Sequence, residues 1–394
     1  MSTLGKESMI QNSTAPSKVD ERIYFDNAAT TALDPEVLQA MLPYMSTHFG
    51  NPSSIYSYGR ETRMAIEGAR KSVAKILGCK PGEIFFTSGG TESNNTAIAA
   101  SIRDLSCTHI ITSPIEHHAV LHTVEHYGAN KDVTVSFVKL HPNGQVDYND
   151  LEQQLSSQTS KTLVTLMHAN NEIGVLLDIK RVGELCKQYG AIFHSDCVQT
   201  VGHYPLNLSE LHVHFISAAG HKFHGPKGTG ILYVNSEVSI KPFILGGGQE
   251  RNMRAGTENV YGIVGFAKAL ELASAQYEKE STSIRQLKAY MKQELEKNFP
   301  EASFNCEASE EYLYTVLSVC FPKTERSEML LYNLDINNIC ASGGSACSSG
   351  ASVGSHVMQA LQKSDDWVTV RFSFSKYNTK EEVDCVVERL KEFI

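Results

Sequence analysis

Apolar and polar positions along this chain follow two periods that take turns. Between about residues 60 and 235, stretches with helical spacing alternate with short continuous apolar runs. Residues 60–77 place Ile66, Ala69, Val73 and Ile76 on one face and meet Gly78 at their end. That is the pattern of an amphipathic helix closed by a residue tolerant of left-handed backbone. Residues 91–105 and 179–189 read as further helices. Residues 84–87, 109–112, 162–167, 191–194 and 213–217 read as short strands. Strands and helices in this alternation predict βαβ units wound into a mostly parallel sheet.

Past about residue 262 the pattern changes. Residues 265–299 are nearly all helical, including Ile284, Leu287, Met291 and Leu295. Residues 314–321 and 368–374 read as strands, and residues 379–394 as a helix. Thr379 and Glu382 form a capping box there, with Val383, Val386, Val387 and Leu390 on one face. The expected fold class is therefore α/β, with a large domain (36–262) and a smaller α+β domain (263–394). Residues 21–35 are expected to join the small domain, and residues 1–20 to be a disordered tail. One segment has low complexity: thirteen of the fifteen residues from 341 to 355 are Gly, Ser or Ala, the exceptions being Cys347 and Val353. Such a loop has few groups able to pack, so it should be mobile and exposed.

Composition narrows the class. A chain of 394 residues can bury two substantial cores. The net charge is −9, and no Lys/Arg block interrupts it, which argues against a nucleic-acid partner. No apolar run approaches the roughly 20 residues that span a bilayer, so no membrane association is expected. The first 20 residues lack an apolar signal core, and the first arginine is Arg22, unlike a mitochondrial presequence. The nine cysteines are scattered without a CxxC pair. That argues against a zinc site or a disulfide framework and for a reducing, cytoplasmic compartment.

The candidate chemistry lies at strand ends. Lys222 sits in Ser217-Ala-Ala-Gly-His-Lys-Phe-His-Gly-Pro-Lys-Gly-Thr-Gly230, a glycine-rich turn after an apolar run. Ligands of open α/β sheets bind at the carboxyl ends of strands. A lysine there can condense with a carbonyl cofactor, which suggests pyridoxal 5'-phosphate (PLP); otherwise it is a surface lysine in a loop. Thr87-Ser-Gly-Gly-Thr-Glu-Ser-Asn-Asn95 runs from a strand into a helix. Gly89 and Gly90 let a ligand approach the backbone, free N–H groups at the helix start favour an anion, and Thr91 adds a hydroxyl. Asp196 ends a buried strand, where a carboxylate can pair with a protonated ring nitrogen or simply cap a turn. Gln199, one helical turn on, could hydrogen-bond a ring hydroxyl. Glu116-His-His118 could supply a stacking or acid/base imidazole, and Asn170 and Asn171 could be cofactor contacts or turn residues. Arg371 lies in an alternating strand; facing the interdomain cleft, it would hold an α-carboxylate. Cys347, on a flexible segment, suits a nucleophile that travels between two sites.

Taken together, these residues occur in the order found in cysteine desulfurases, and the resemblance runs from about Ile23 to the C-terminus. It is carried by Asp26-Asn-Ala-Ala-Thr-Thr31, Gly50-Asn-Pro-Ser-Ser54, Gly89-Gly-Thr-Glu-Ser-Asn-Asn95, Asn170-Asn-Glu-Ile-Gly174, Gly220-His-Lys222, Gly246-Gly-Gly-Gln-Glu-Arg251 and Arg254-Ala-Gly-Thr-Glu-Asn259. Ser345-Ala-Cys-Ser348 in a long loop is similar to the nitrogen-fixation and general iron–sulfur-assembly branch. The resemblance implies a class V aminotransferase of PLP fold type I, usually a homodimer, that converts L-cysteine to L-alanine. It implies Lys222 as the cofactor lysine, Asp196 as the ring-nitrogen partner, Gln199 and Asn171 as cofactor contacts, and His117 as the stacked, catalytic histidine. Gly90, Thr91 and His221 would bind the phosphate, and Thr257 would reach that of the other subunit. Arg371 would hold the substrate carboxylate. Cys347 would take the sulfur as a persulfide and pass it to an iron–sulfur scaffold or a tRNA-thiolation acceptor. No permanent metal site is implied, although Cys347 could transiently ligate a cluster on a scaffold partner. The alternative is a lyase acting on selenocysteine or cysteine sulfinate without Cys347. Two features depart from the family: Ala219 replaces a phosphate-binding serine, and residues 362–370 are short.

Overall fold

The computed structural model of the chain describes residues 22–129, 132–305, 312–343, 355–364 and 366–394. The chain enters through a two-residue strand, β1 (Ile23–Tyr24), and two helices, α1 (Pro35–Ser46) and α2 (Ser57–Ile76). Strands and helices then alternate as β2 (Ile84–Thr87), α3 (Gly90–Arg103), β3 (His109–Thr112), α4 (His118–Gly128), β4 (Thr134–Phe137), α5 (Tyr148–Ser157), β5 (Thr162–Thr165), α6 (Ile179–Tyr189) and β6 (Ile192–Asp196). Two strands follow without an intervening α-helix, β7 (Phe215–Ala219) and β8 (Gly230–Val234).

These strands form a seven-stranded sheet in the order β2-β8-β7-β6-β5-β3-β4. The ladders from β7 to β4 are parallel, and β8 runs against both of its neighbours. Every residue of β3, β5, β6, β7 and β8 is buried. That is why they appear as continuous apolar runs rather than alternating ones. The edge strand β4 is exposed or half-buried throughout.

A short helical turn, α7 (Gln249–Asn252), leads to the 39-residue helix α8 (Val260–Asn298). Its first half packs Val260, Ile263, Phe266 and Leu270 into the core beneath the large sheet. Its second half packs Ile284, Met291 and Leu295 into a second core. That second core also contains the antiparallel sheet β12-β10-β9, made of β9 (Ser303–Phe304), β10 (Val316–Pro322) and β12 (Trp367–Ser373). The helices α9 (Leu330–Ile336), α10 (His356–Ala360) and α11 (Lys380–Leu390) complete this part. The capping box is present at α11: the Thr379 hydroxyl accepts from the Glu382 N–H, and the Glu382 carboxylate accepts from the Thr379 N–H. β1 pairs in parallel with β11 (Ile339–Cys340), tying the N-terminal strand to the second core. Among the described residues, no helix is long and apolar enough to cross a membrane.

Candidate active site

The parallel strands deliver their functional groups at one edge of the sheet. β6 ends on Asp196, β7 leads through Ala219 into the turn Gly220–Lys222, and β2 leads through Gly89 into α3. The loop after β3 carries Glu116 and His117, and the loop after β5 carries Asn170 and Asn171. Gly90, Thr91, His117, Asn171, Asp196, Gln199, His221, Lys222 and Arg371 all line one cavity of about 260 Å³.

The start of α3 is built for close approach. Gly89 has φ +149°, a conformation that a residue with a Cβ rarely adopts. A Cβ on Gly90 would come within 2.6 Å of Val198 Cγ2. No side chain caps this helix end, so its first-turn N–H groups and the Thr91 hydroxyl are presented to the cavity. Ala219, 2% exposed, lines the same wall and offers only a methyl group.

Lys222 projects its amine toward the N-terminal segment. Its Nζ donates to the carbonyls of Ala28 and Ala29 at 2.7 and 2.8 Å. Asp196 is buried, and its Oδ2 accepts from Asn94 Nδ2 at 2.6 Å while its Oδ1 accepts from the Val198 N–H at 3.0 Å. Gln199 Nε2 donates to the Ala28 carbonyl at 3.0 Å.

His117 caps α4: its Nδ1 accepts from the Ala119 N–H at 3.1 Å. Burial holds its pKa below the ordinary histidine value; the Asp196 carboxylate opposes that shift, and Lys222 reinforces it. The ring is therefore neutral at pH 7, with its proton on Nε2. His221 sits with Nδ1 3.1 Å from the Thr30 hydroxyl, and burial together with Lys222 and Lys227 pushes its pKa down to about 4.

Arg371 comes from β12 in the second core and is 1% exposed. Its Nη1 donates to the Asn171 carbonyl at 2.8 Å, and its Nη2 donates to Asp26 Oδ1 at 2.6 Å. Two sequence candidates are not among these cavity residues as described. Thr257 lines a separate cavity of about 150 Å³ with Ser88 and Arg254. Cys347, and with it most of the Gly/Ser/Ala segment, lies outside the described residues.

Four further residues join the site without having been singled out. Asn94 holds Asp196. Glu116 is buried, its Oε1 accepts from the Met167 N–H at 2.7 Å, and burial raises its pKa well above the usual carboxyl range. Glu172 is likewise raised by burial and accepts from the Ser355 hydroxyl. His356 Nε2 meets the Glu116 carbonyl at 2.9 Å. Asn94, Glu116 and Glu172 stand inside quoted motifs, where their neighbours drew attention instead. His356 follows a featureless segment and carried no signal.

Residues 23–386 match the family described as aminotransferase class-V. The chain belongs to that family. It is 43% identical over 376 residues to cysteine desulfurase IscS of Dictyoglomus turgidum, covering 94% of each chain. It is 42% identical over 383 residues to cysteine desulfurase IscS of Methanosarcina thermophila, covering 96% of this chain and 93% of that one. Among solved structures, a NifS-like protein superposes with a TM-score of 0.87 at 37% identity, covering 94% of this chain and 98% of the other. A structure described as SspA in complex with cysteine superposes with a TM-score of 0.76 at 32% identity, covering 91% and 100%. These relatives support the α/β reading of the large sheet as PLP fold type I.

Proposed function

We infer that this chain is a PLP-dependent cysteine desulfurase. The observation that carries the reading is convergence. An amine (Lys222), a buried carboxylate (Asp196), an uncapped helix start (Gly90 and Thr91) and a guanidinium (Arg371) line one cavity, in a chain with 43% identity to a cysteine desulfurase over 94% of its length.

The donor set fits PLP. The α3 start, Thr91 and His221 suit the phosphate, Asp196 suits a protonated ring nitrogen, Gln199 and Asn171 suit its polar edge, and the flat ring of His117 suits its face. Lys222 is the amine that would hold its carbonyl carbon. When bound, PLP supplies an electron sink for charge developing at the substrate Cα.

The chain's own residues do the rest. Arg371 grips the substrate carboxylate, with Asp26 and the Asn171 carbonyl fixing the plane of its fork. Lys222 Nζ leaves the Ala28 and Ala29 carbonyls and moves the proton at Cα. His117, neutral with its proton on Nε2, can donate but has its other nitrogen occupied. The Cys347 thiolate attacks the substrate sulfur, the C–S bond breaks toward Cβ, and the sulfur leaves as a persulfide on Cys347. A protein acceptor for iron–sulfur assembly or tRNA thiolation would take it from there.

A homodimer is supported by two features. Thr257 lies away from the Lys222 cavity of its own chain. Phe49, Ile55 and Met64 are 72%, 86% and 75% exposed, large apolar side chains that a second copy would cover. The described cysteines are all free, which fits a reducing compartment such as the cytoplasm.

The test is alanine and sulfide released from L-cysteine with a reductant, for wild type and Cys347→Ala side by side. Loss of both products in the variant is expected. Equal release from both proteins would favour a lyase that bypasses Cys347.

A further inference from the structure

Resting on the desulfurase reading, one cavity residue remains without a task. His356 lines the same cavity as Lys222 and Arg371. Its Nε2 lies 2.9 Å from the Glu116 carbonyl oxygen. A carbonyl can only accept, so Nε2 carries a ring proton, and in the neutral ring Nδ1 is left with a lone pair. Nδ1 is buried and has no hydrogen-bond partner among the described residues. The ring is also held from the side: His118 packs on it at 4.6 Å between centroids, and His118 in turn stacks on His122 at 4.8 Å. Among the described residues, no group of three or more His, Cys, Asp or Glu is arranged to hold a metal ion, so the cluster is not explained that way.

Buried acceptors nearly always have a donor, and an orphan on a residue that lines a cavity points to one that arrives with the ligand. Cysteine bound with its carboxylate on Arg371 and its amine toward Lys222 has one polar group left, the thiol. We propose that Nδ1 of His356 accepts the hydrogen bond of the substrate S–H. His356 is thus a specificity-determining residue for a β-substituent that carries a proton. The Glu116 carbonyl sets its tautomer, and the His118–His122 stack sets its plane.

The test uses the holoenzyme and two ligands: L-cysteine as substrate, and L-2-aminobutyrate, which has a methyl group in place of the thiol, as competitor. His356→Gln keeps an N–H where Nε2 meets the Glu116 carbonyl and removes the acceptor at Nδ1. His356→Asn keeps an acceptor near Nδ1. In the Gln variant, the KM for L-cysteine is expected to rise about three- to tenfold, the value of one ordinary hydrogen bond. The Ki for L-2-aminobutyrate is expected to stay at the wild-type value, which also reports an intact site. The Asn variant should regain part of the loss. A parallel rise in KM and Ki would make the effect one of shape and overturn the proposal. An unchanged KM with reduced kcat would assign Nδ1 to the chain rather than the substrate, and would overturn it too. A wild-type enzyme that forms no alanine from L-cysteine would overturn the desulfurase reading itself and this inference with it.

Discussion

Replacing Asp196 with Asn separates the chemistry of this carboxylate from its structural work. Its two oxygens accept from Asn94 Nδ2 and the Val198 N–H at 2.6 and 3.0 Å. Asn94 Oδ1 is buried without a partner among the described residues. In the variant, the new amide keeps its oxygen on the Val198 N–H and turns its NH₂ toward Asn94. A flip of the Asn94 amide then brings the orphan Oδ1 into a hydrogen bond. The fold exchanges one charge-assisted bond for one neutral bond, a loss of about 1 kcal/mol. A cofactor ring nitrogen facing Asp196, as proposed, would by contrast lose its buried counter-charge. Removing one preorganised electrostatic partner of a developing charge costs on the order of 10²–10³ in kcat. Alanine formation from L-cysteine and a denaturant titration on the same preparation measure both. Activity within tenfold of wild type would refute the assignment of Asp196. A stability loss above about 3 kcal/mol would refute the Asn94 flip.

Ala219→Ser restores a hydroxyl against the helix start proposed to receive the phosphate. One added bond to an anion should tighten PLP binding about tenfold or more, measured by titrating apoenzyme through its visible absorption; unchanged affinity would place the phosphate elsewhere. Glu250→Gln should cost about 2–4 kcal/mol in denaturant unfolding, because it leaves the buried Arg70 guanidinium with only the more exposed Glu67 carboxylate, on its Nε, as counter-charge. The carboxylate meets Arg70 at 2.8 Å on both arms, with the two side chains 1% and 3% exposed. It also holds a turn in which Glu250, Arg251 and Asn252 have φ of 44°, 58° and 67°; a loss under 1 kcal/mol would be inconsistent with this role. His168 is held at about 4 by burial and sits 2.9 Å from the Thr200 hydroxyl. Its folded pKa lies below the unfolded value of about 6.5, so unfolding takes up a proton between those values and stability falls as pH drops through that window. Between pH 7.5 and 5.5, His168→Asn should lose about 1 kcal/mol less stability than wild type, and an identical pH dependence would refute the buried neutral imidazole.

The parts of the site legible in the sequence are those that punctuate it. Lys222, Asp196 and the Gly89–Gly90 pair stand where an apolar run stops and turn residues begin, so strand-end chemistry could be read directly. Arg371 could not be oriented, because the last four residues of β12, Val370 to Ser373, are all buried and alternation no longer marks a face. α1 was hidden by Pro43 in its interior, a residue ordinarily read as a helix break. β4, at the sheet edge with no buried position, offers only the brief alternation Thr134-Val-Ser-Phe137, too short to mark a strand by itself. Asn94 and His356 are polar residues whose value comes entirely from what lies opposite them in space. Asn94 rides on a helix whose face the sequence cannot rotate toward Asp196, and His356 meets Glu116 across 240 residues of chain.

The N-terminal segment explains how groups from two cores come to serve one reaction. Lys222 lies in the turn that follows β7 of the large sheet, and Arg371 lies in β12 of the small one. Between them runs the segment from Asp26 to Thr31, which touches both. Asp26 takes the Arg371 guanidinium, the Ala28 and Ala29 carbonyls take the Lys222 amine, and the Thr30 and Thr31 hydroxyls bond to His221 and His224. Its backbone bonds to Ser373 at one end and to His221 at the other. This short run therefore bridges the guanidinium proposed to hold the substrate carboxylate and the amine proposed to move the proton. Its motif, Asp26-Asn-Ala-Ala-Thr-Thr31, carries small side chains where carbonyls must reach a lysine. A larger residue at Ala28, which is 6% exposed and lines the Lys222 cavity, would push against the site rather than the surface. A residue that changes the spacing of guanidinium and amine should disturb kcat before it disturbs the fold, since near-attack geometry is lost over about an ångström and packing is not.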